Sequence, residues 1–350
     1  MSFSKLLQKW FDQAKRELPW RDTNDAYRIW LSEVILQQTR VSQGLPYYLR
    51  FLSNYPTIQA FAAASEEEIL QLWQGLGYYS RGRNMLKCAK RLVDEFDGEF
   101  PKDWKAMRSL PGIGDYTASA ILSFAYDLPH AVVDGNVYRV LARVYGIDMV
   151  INTPAATRHF KQLAQELLDT SNPANHNQAI MEFGALQCTP TNPNCAICPL
   201  QQSCIALRTN TIDKLPVKKR PKPRRKRYFN YLVLQRNNDI FIRQRKGKGI
   251  WENLYEFPLI ESEKPLNTNN LSKQFKQHFG PINASFTPDY ESKHVLSHQE
   301  IYAVFWLVDD ATFRFTGNSD IFEVGFEELE LKYALPVLIS RFLEHHRKNT

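Results

Sequence analysis

The chain lacks any long apolar run: no stretch approaches the roughly 20 consecutive apolar residues that a membrane-spanning helix needs. Its opening, MSFSKLLQKWFDQAKREL, has the pattern of an amphipathic helix that contains Asp12 and Glu17, which does not resemble a secretory signal. It also lacks internal repeats, and 43% of its 350 residues are apolar, unlike a fibrous or disordered chain. These absences exclude membrane and repeat proteins, and the length favours two globular domains.

Carboxylates and cysteines are both scarce. The 37 Asp and Glu residues are outnumbered by 44 Lys and Arg, and the resulting formal charge of +7 is compatible with a polyanionic partner, although many proteins are this basic by chance. Only five cysteines are present, and four of them fall within residues 188–204. Without an export signal this clustering is a poor match to a disulfide framework, and it favours a reduced, intracellular metal site.

Three segments of different composition follow one another along the chain. Residues 1–211 place apolar residues at helical spacing and show no strand alternation. Residues 212–227 hold nine Lys or Arg among three prolines and predict an exposed basic linker, which either binds phosphate or is simply a solvated tether. Residues 228–350 predict a separate α/β domain. Its expected strands are 228–236, 239–245 and 301–309, the first two joined by an Asn-Asn-Asp turn, and its expected helices cover 271–279 and 335–346.

The cysteine cluster has the spacing C-x6-C-x2-C-x5-C and consists of Cys188, Cys195, Cys198 and Cys204. Four soft thiolates within 17 residues suit zinc or an iron-sulfur cluster. Zinc sites more often show two C-x2-C pairs, whereas this chain has one. The fifth cysteine, Cys88, is expected to be a packed core thiol.

The segment LPGIG (110–114) lies between one helical segment that ends near Met107 and a second that carries Thr117 and Ile121. Gly112 and Gly114 would let the backbone approach a ligand closely, and the second helix would direct its amides toward it. A DNA phosphate fits this arrangement. An ordinary helix-helix turn fits it equally well.

Two carboxylates are expected to have opposite environments. Glu33 lies on an apolar helical face, where burial would raise the pKa of its carboxyl and make it a general acid, unless it is merely a partly exposed glutamate. Asp134 precedes a helix as an N-cap, and we expect the amide hydrogen bonds and the helix dipole to keep it ionised; most such aspartates only cap. A protonated acid and a second carboxylate are the pair that cleavage of a glycosidic bond requires.

The chain resembles MutY-type adenine DNA glycosylases of the endonuclease III superfamily over essentially its whole length. The resemblance rests on WLSEVILQQTRV (30–41), LPGIGDYTASAI (110–121), VVDGNVYRVLAR (132–143) and the cysteine cluster. It implies a multi-domain fold: an all-α helix-hairpin-helix glycosylase domain, with the hairpin at 108–125 and an iron-sulfur loop at 188–204, and a C-terminal α/β domain of the MutT-like Nudix fold for lesion recognition.

The resemblance also implies the activity and its setting. The expected reaction is monofunctional base excision repair, in which adenine opposite 8-oxoguanine or guanine is released from duplex DNA. The expected cofactor is one [4Fe-4S] cluster rather than zinc. From the missing targeting signals we expect a bacterial cytoplasmic location, with the nucleoid reached through DNA, and we expect a monomer.

Four catalytic roles carry over by resemblance. Glu33 would protonate adenine, Asp134 would stabilise or trap the oxocarbenium sugar, Asn136 would orient Asp134, and Tyr116 would lie beside them. In endonuclease III the position of Tyr116 holds a lysine whose amine attacks the sugar and permits strand cleavage. This chain offers no such amine.

Further residues are implied to contact DNA or the lesion. Gln38 and Thr39 would lie at a helix start that probes the duplex, whereas Trp20, Arg21 and Tyr78 would lie near the extruded base. The alternatives are capping for the first pair and core packing for Trp20 and Tyr78.

The C-terminal domain resembles the MutT-like domain through GIWENLYEFPLIE (249–261). ESEKPLNTNN (261–270) lacks the run of glutamates that a Nudix hydrolase uses for Mg²⁺, so the domain should bind without hydrolysing. The expected reader of 8-oxoguanine is Leu296-Ser297-His298, in which a leucine replaces the family's aromatic residue. A simple strand-entry turn is the alternative.

Two other functions stay open at this stage. One is a bifunctional glycosylase and lyase, against which Tyr116 and the MutT-like domain argue. The other is a non-enzymatic iron-sulfur protein that binds DNA, against which the pairing of Glu33 with Asp134 argues.

Overall fold

The chain divides into two compact units in the computed structural model, which describes residues 2–219, 223–236, 239–247, 249–309, 313, 315 and 320–349. The first unit comprises Met1–Ala63 and Asn84–Arg220, and the second comprises Ala64–Arg83 and Pro221–Thr350. Within the described residues no helix is both long and apolar enough to cross a membrane.

The amino-terminal part is helical, as predicted. Its helices are α1 (Phe3–Ala14), α2 (Ala26–Ile35), α3 (Val41–Asn54), α4 (Ile58–Ala63), α5 (Glu66–Leu72), α6 (Ser80–Phe96), α7 (Trp104–Ser109), α8 (Asp115–Tyr126), α9 (Gly135–Tyr145), α10 (Pro154–Leu167), α11 (Pro173–Leu186) and α12 (Ile205–Arg208). Side-chain caps fix several of the starts: Asp25 accepts hydrogen bonds from the amides of Tyr27 and Arg28 at the start of α2.

Burial of α2 on nearly all sides positions the site. The helix packs against α3 and α8, and α11 packs against α1, α8 and α9. Trp30, which is fully buried, meets the ring of Phe61 edge-on at 5.7 Å. Because Ile29 to Ile35 are all buried, a polar residue in this stretch must lie in the interior or face a cavity.

The second unit is built on a mixed sheet. Its elements are β1 (Arg225–Arg236), β2 (Asp239–Gln244), β3 (Tyr255–Glu256), β4 (Leu259–Ser262), α13 (Thr268–Phe279), β5 (Ser285–Val295), β6 (Gln299–Asp309), β7 (Ile321–Gly325), α14 (Phe326–Lys332) and α15 (Val337–Asn349). The strand order is β3-β2-β1-β6-β5, with β4 paired to β1 and β7 to β2. Only β1 and β6 pair in parallel among the described strands.

The predicted hairpin of β1 and β2 is present, with Gln235 opposite Ile240. Asn237 and Asn238 of its expected turn lie outside the described residues. Alternate side chains of each strand point to opposite faces of the sheet. Both faces are covered by helices. Leu232 and Trp306 belong to one cluster with residues of α13, whereas the ring of Phe305 stacks at 4.5 Å on Phe342 of α15.

Two predicted boundaries differ from the structure. Residues 64–83, expected in the helical domain, group with the C-terminal part, where the Tyr255 hydroxyl donates to Glu67 at 2.6 Å and the Tyr79 hydroxyl donates to the Leu335 carbonyl at 3.2 Å. The expected linker ends early, because Arg225 already enters β1 opposite Gln299. Residues 220–222 of that linker lie outside the described residues.

Candidate active site

A cavity of about 820 Å³ opens in the first unit. Helices α2, α8, α9 and α11 contribute to its lining, together with the chain segments before α2 and between α2 and α3. Seven of the residues expected at the site line it: Trp20, Arg21, Glu33, Thr39, Tyr116, Asp134 and Asn136. Residues far apart in sequence thus meet in one concave site.

Glu33 is the buried carboxyl of this cavity, with only 8% of its surface exposed. The Tyr116 hydroxyl donates a 2.6 Å hydrogen bond to Glu33 Oε2. Burial raises the pKa of the Glu33 carboxyl to about 7; the hydrogen bond from Tyr116 opposes this shift and the charge of Asp134 adds to it. The predicted direction is confirmed.

Asp134 is the N-cap of α9, as predicted. Its Oδ1 accepts hydrogen bonds from the amides of Asn136 at 2.9 Å and Val137 at 2.8 Å, and its Oδ2 accepts one from Asn136 Nδ2 at 2.8 Å. The expectation that its environment simply favours ionisation is wrong, because burial raises the pKa of Asp134 in spite of these three bonds. Both carboxyls are therefore desolvated, and their hydrogen-bond partners distinguish them.

Tyr116 lies on α8 between the hairpin and Glu33. Burial and the neighbouring Glu33 charge raise the pKa of its hydroxyl well above the ordinary value, so the group remains a hydrogen-bond donor. No lysine is present among the described residues that line the cavity.

Glu182 was not anticipated from the sequence, although it lines the same cavity and is almost fully buried. Burial alone would raise its pKa, but its hydrogen bonds to Arg16 and Arg21 lower the pKa to about 2. Arg21 pairs with both carboxylate oxygens, at 3.0 and 2.8 Å, and Arg16 does so at 2.8 and 2.6 Å. Arg21 is thus held rigidly at the cavity wall.

Two buried arginines of α9, Arg139 and Arg143, were also missed. Arg139 donates to Asn136 Oδ1 at 2.8 Å and to the Cys188 carbonyl at 2.7 Å. It therefore links the residue that orients Asp134 to the first cysteine. The signal was available: each arginine lies within the apolar stretch VYRVLARVY, where a cation must find internal partners.

Arg143 ties down the loop that carries the cysteines. Its guanidinium, in a residue only 1% exposed, donates to the carbonyls of Thr189 at 2.7 Å, Pro190 at 3.0 Å and Leu215 at 3.1 Å. It also lies 3.5 Å from Cys188 Sγ.

The four cysteines of the cluster all line one small cavity and are free thiols: Cys188, Cys195, Cys198 and Cys204. In the described part of the chain, no group of three or more His, Cys, Asp or Glu side chains is arranged to hold a metal ion. The fit therefore rests on the donor set, since four thiols that face one cavity suit zinc or an iron-sulfur cluster. Cys88 is fully buried elsewhere, as expected.

The hairpin joins α7 to α8. Gly112 has a φ of +77°, and a Cβ there would lie 2.9 Å from Asn84 Cβ, so the turn requires glycine. Gly114 is extended, caps α8, and has no neighbour within 4 Å of an added Cβ. Only Gly112 is needed for backbone conformation, whereas Gly114 leaves open space at the first amides of α8.

Gln38 and Thr39 lie in the turn between α2 and α3, not at the helix start that was expected, since α3 begins at Val41 with Arg40 as its N-cap. The backbone of Gln38 is left-handed, with a φ of +59°, and its side chain is exposed. A non-glycine residue held in this conformation costs free energy and marks a constrained tip.

Tyr78 belongs to the second unit, where it lines a cavity of about 180 Å³ with Trp251, Leu296, Ser297 and His298. Residues 296–298 form the turn between β5 and β6, closed by a 2.8 Å bond from the Leu296 amide to the Gln299 carbonyl. Ser297 and His298 are exposed, and their side chains lie 3.2 Å apart.

Comparison with protein families matches both parts of the chain. Residues 31–166 match the HhH-GPD superfamily of base excision DNA repair proteins, and residues 230–345 match the NUDIX domain. Among solved structures, a thermostable thymine-DNA glycosylase aligns with a TM-score of 0.55 and 26% identity over 59% of this chain and 95% of that one. An endonuclease III–DNA covalent intermediate, at 24% identity and a TM-score of 0.52 over 59% of this chain and 94% of that one, shares the fold.

Two curated relatives are both named adenine DNA glycosylase. The adenine DNA glycosylase of Buchnera aphidicola subsp. Schizaphis graminum is 35% identical over 318 residues, which cover 91% of this chain and 90% of that protein. The human adenine DNA glycosylase is 34% identical over 364 residues, which cover 87% of this chain and 67% of that protein. With this coverage, and with the carboxyl pair, hairpin and cysteine cluster in place, the chain belongs to the adenine DNA glycosylase family.

Proposed function

We propose that the chain hydrolyses the N-glycosidic bond of adenine mispaired with 8-oxoguanine, or with guanine, in duplex DNA. The observation that carries this proposal is the buried Glu33 carboxyl, hydrogen-bonded to Tyr116 and facing the same cavity as Asp134. An extruded nucleotide would enter this cavity, because an acid cannot reach the ring nitrogens of a stacked base.

Glu33 is the general acid in this mechanism. Its protonated carboxyl gives a proton to an adenine ring nitrogen as the bond between the base and C1′ breaks, and the bonding electron pair leaves with the base. Its pKa of about 7 suits this task, since a catalytic acid works best when its pKa lies near the working pH. Water then adds to C1′ and loses a proton to Glu33, which restores the acid.

Asp134 supports the cationic sugar that forms in between. Three N–H groups donate to its oxygens, and such donors suit a carboxylate better than a protonated acid, whereas the hydroxyl of Tyr116 suits either form of Glu33. When two nearby carboxyls share one proton, we therefore expect Glu33 to hold it and Asp134 to carry the charge. Asn136 is a positioning residue that orients Asp134.

The reaction should leave the DNA strand intact. Strand cleavage by a glycosylase needs an amine that attacks C1′, and Tyr116 supplies a hydroxyl of raised pKa instead. The observation that no lysine lines the described cavity supports the same conclusion.

DNA would be held at the hairpin and at the constrained turn. The open space at Gly114 suits a backbone phosphate at the first amides of α8, and the exposed Gln38 suits insertion into the duplex. Trp20, Arg21 and Thr39 would surround the extruded base. Reading of the opposite base would fall to Leu296, Ser297 and His298, which share a pocket with Tyr78.

The residues present suit a [4Fe-4S] cluster on Cys188, Cys195, Cys198 and Cys204, which, when bound, would stiffen the loop that Arg139 and Arg143 hold. The NUDIX domain should bind without hydrolysing nucleotides, because α13, which follows residues 261–267, contains no acidic residue. The expected monomeric state and nucleoid location stay predictions.

One assay separates the candidate functions. Purified protein is incubated with duplexes that contain A opposite 8-oxoguanine, A opposite G, or thymine glycol, and free base, abasic product and strand breaks are measured. We expect adenine release from the first two duplexes without strand breaks. Efficient borohydride trapping would indicate a lyase, and no release from any duplex would leave only a DNA-binding protein.

A further inference from the structure

The start of β1 is a fixed part of the sheet rather than a tether. Arg225 to Arg227 pair in parallel with Gln299 to Ile301, and the Arg225 amide donates to the His298 carbonyl at 3.2 Å. The end of the basic segment, where it enters β1, therefore lies directly beside the Leu296–His298 turn. Side chains at the paired positions of adjacent strands share a face.

That face carries an excess of positive charge at this end of the sheet. Lys226 is paired in register with Glu300, and Tyr228 is paired with Tyr302. Lys293 of β5 is opposite Tyr302 on the other side. We call the basic sheet face the surface formed by Arg224, Lys226, Tyr228, Lys293, Glu300 and Tyr302.

The basic sheet face carries three cations and one carboxylate, and two of the cations lie near that carboxylate. Glu300, which is 18% exposed, lies 3.1 Å from Lys293 and 3.9 Å from Arg224, each of which is 47% exposed. Lys226 is exposed as well. One carboxylate cannot neutralise three cations, and surface pairs of this kind exchange partners at little cost.

An aromatic side chain lies against one of these cations, Lys293. The rings of Tyr228 and Tyr302 stack at 5.3 Å, Lys293 Nζ lies 5.1 Å from the centre of the Tyr302 ring, and the Tyr302 hydroxyl donates to Glu300 Oε2 at 3.0 Å. Ordered cations lose less conformational entropy when they bind a polyanion than mobile ones do.

We propose that the basic sheet face binds backbone phosphates of the DNA strand that carries the base read by the Leu296–His298 turn. This inference rests on the proposed action on duplex DNA. Its partner is a phosphodiester backbone, because the face is cationic, exposed and continuous with the turn. Phosphates would take Arg224 and Lys293 from Glu300, which acts as their internal competitor.

The test uses the full-length protein and a duplex with A opposite 8-oxoguanine. Dissociation constants are measured by fluorescence anisotropy across roughly 50 to 200 mM salt, where the logarithmic slope falls by about 0.9 for each phosphate that the protein no longer neutralises. For the variant Arg224→Gln/Lys226→Gln/Lys293→Gln we expect the slope to fall by about 1 to 3, with an unchanged excision rate at saturating protein. Glu300→Gln should tighten binding and steepen the slope.

The matched control is Lys332→Gln, which removes an exposed, salt-bridged lysine of α14. Equal slopes for the triple variant and this control, or weaker binding by Glu300→Gln, would overturn the inference. An acidic protein would then be the partner left for this cationic face. Thermal midpoints verify that each variant is folded. If the wild-type protein releases no adenine, the proposed function fails, whereas the slopes still decide whether this face binds DNA phosphates.

Discussion

Folding buries the Glu33 carboxylic acid and makes it harder to ionise. This burial destabilises the protein at pH values above the ordinary pKa of a glutamate side chain. With a folded-state pKa of about 7 against an ordinary value of 4.5, the folded state binds the proton more tightly than the unfolded state does. Stability is therefore lost as the pH rises through this window. Short hydrogen bonds to other buried groups, such as those from two arginines to Glu182, offset part of this loss of stability.

We expect Glu33→Gln to stabilise the protein at alkaline pH, because Gln can accept the Tyr116 hydrogen bond and carries no charge to bury. The gain should reach about 3 kcal/mol near pH 8 and disappear near pH 4, since each pKa unit corresponds to about 1.4 kcal/mol. Urea denaturation at both pH values measures it. A variant that is less stable than wild type near pH 8 would show that Glu33 is not a desolvated acid.

Tyr116→Phe should shift the pH dependence of excision. Because the Tyr116 hydrogen bond lowers the pKa of Glu33, its removal should raise that pKa and move the alkaline limb of single-turnover excision to higher pH. The matched control is Tyr126→Phe, which removes a hydroxyl on the same helix that donates to the Phe100 carbonyl at 2.8 Å. An unmoved limb, or one that moves to lower pH, contradicts the assignment.

The environment of a single residue could be predicted where it depends on residues nearby in sequence. The apolar helical face around Glu33 and the capping position of Asp134 are local patterns, and the structure has both. The pair of Arg16 and Arg21 with Glu182 joins residues more than 160 positions apart, which no periodicity reveals. The raised pKa of Asp134 was missed because burial depends on tertiary packing.

At the scale of elements, the two glycines of the hairpin have different roles. Gly112→Ala should lower the free energy of unfolding by about 1–2 kcal/mol, because a left-handed φ is costly for residues with a Cβ. Gly114→Ala should leave stability unchanged and weaken duplex binding, because its Cβ would project into the open space. Denaturation curves and anisotropy titrations separate the two effects. Equal stability losses would contradict this division.

The loop that carries the cysteines should depend on Arg143. Arg143→Lys would leave several loop carbonyls without a donor, and we expect the free energy of unfolding to fall by about 2–4 kcal/mol, together with the iron content per chain. Arg208→Lys, an exposed arginine of α12, is the control. If Arg143→Lys had the stability and iron content of the wild type, Arg143 would not be needed to hold the loop.

Elements were predictable where a repeating pattern defines them. Helical spacing revealed the amino-terminal helices, and runs of β-branched and aromatic residues around an Asn-Asn-Asp turn revealed the hairpin of β1 and β2. The start of β1 at Arg225 was not evident, because charged residues and prolines resemble a linker until a neighbouring strand supplies hydrogen bonds. Gln38 was expected at a helix start, yet it lies in a turn and its backbone is left-handed.

At the scale of the whole molecule, the two-part organisation follows from composition, but the membership of residues 64–83 does not. Residues 66–72 and 80–83 of this stretch are helical like their neighbours, and long-range bonds, such as those of Glu67 and Tyr79, assign the stretch to the second unit. The same grouping places Tyr78 in a pocket with His298.

The central claim is that Glu33 delivers the proton that releases adenine from duplex DNA. Its most direct test is single-turnover excision from a duplex with A opposite 8-oxoguanine, with wild-type protein and Glu33→Gln both at saturating concentrations. We predict that the wild-type rate falls as the pH rises above about 7, and that Glu33→Gln binds the duplex but releases adenine at least about 100-fold more slowly. Release by Glu33→Gln at the wild-type rate would contradict the account.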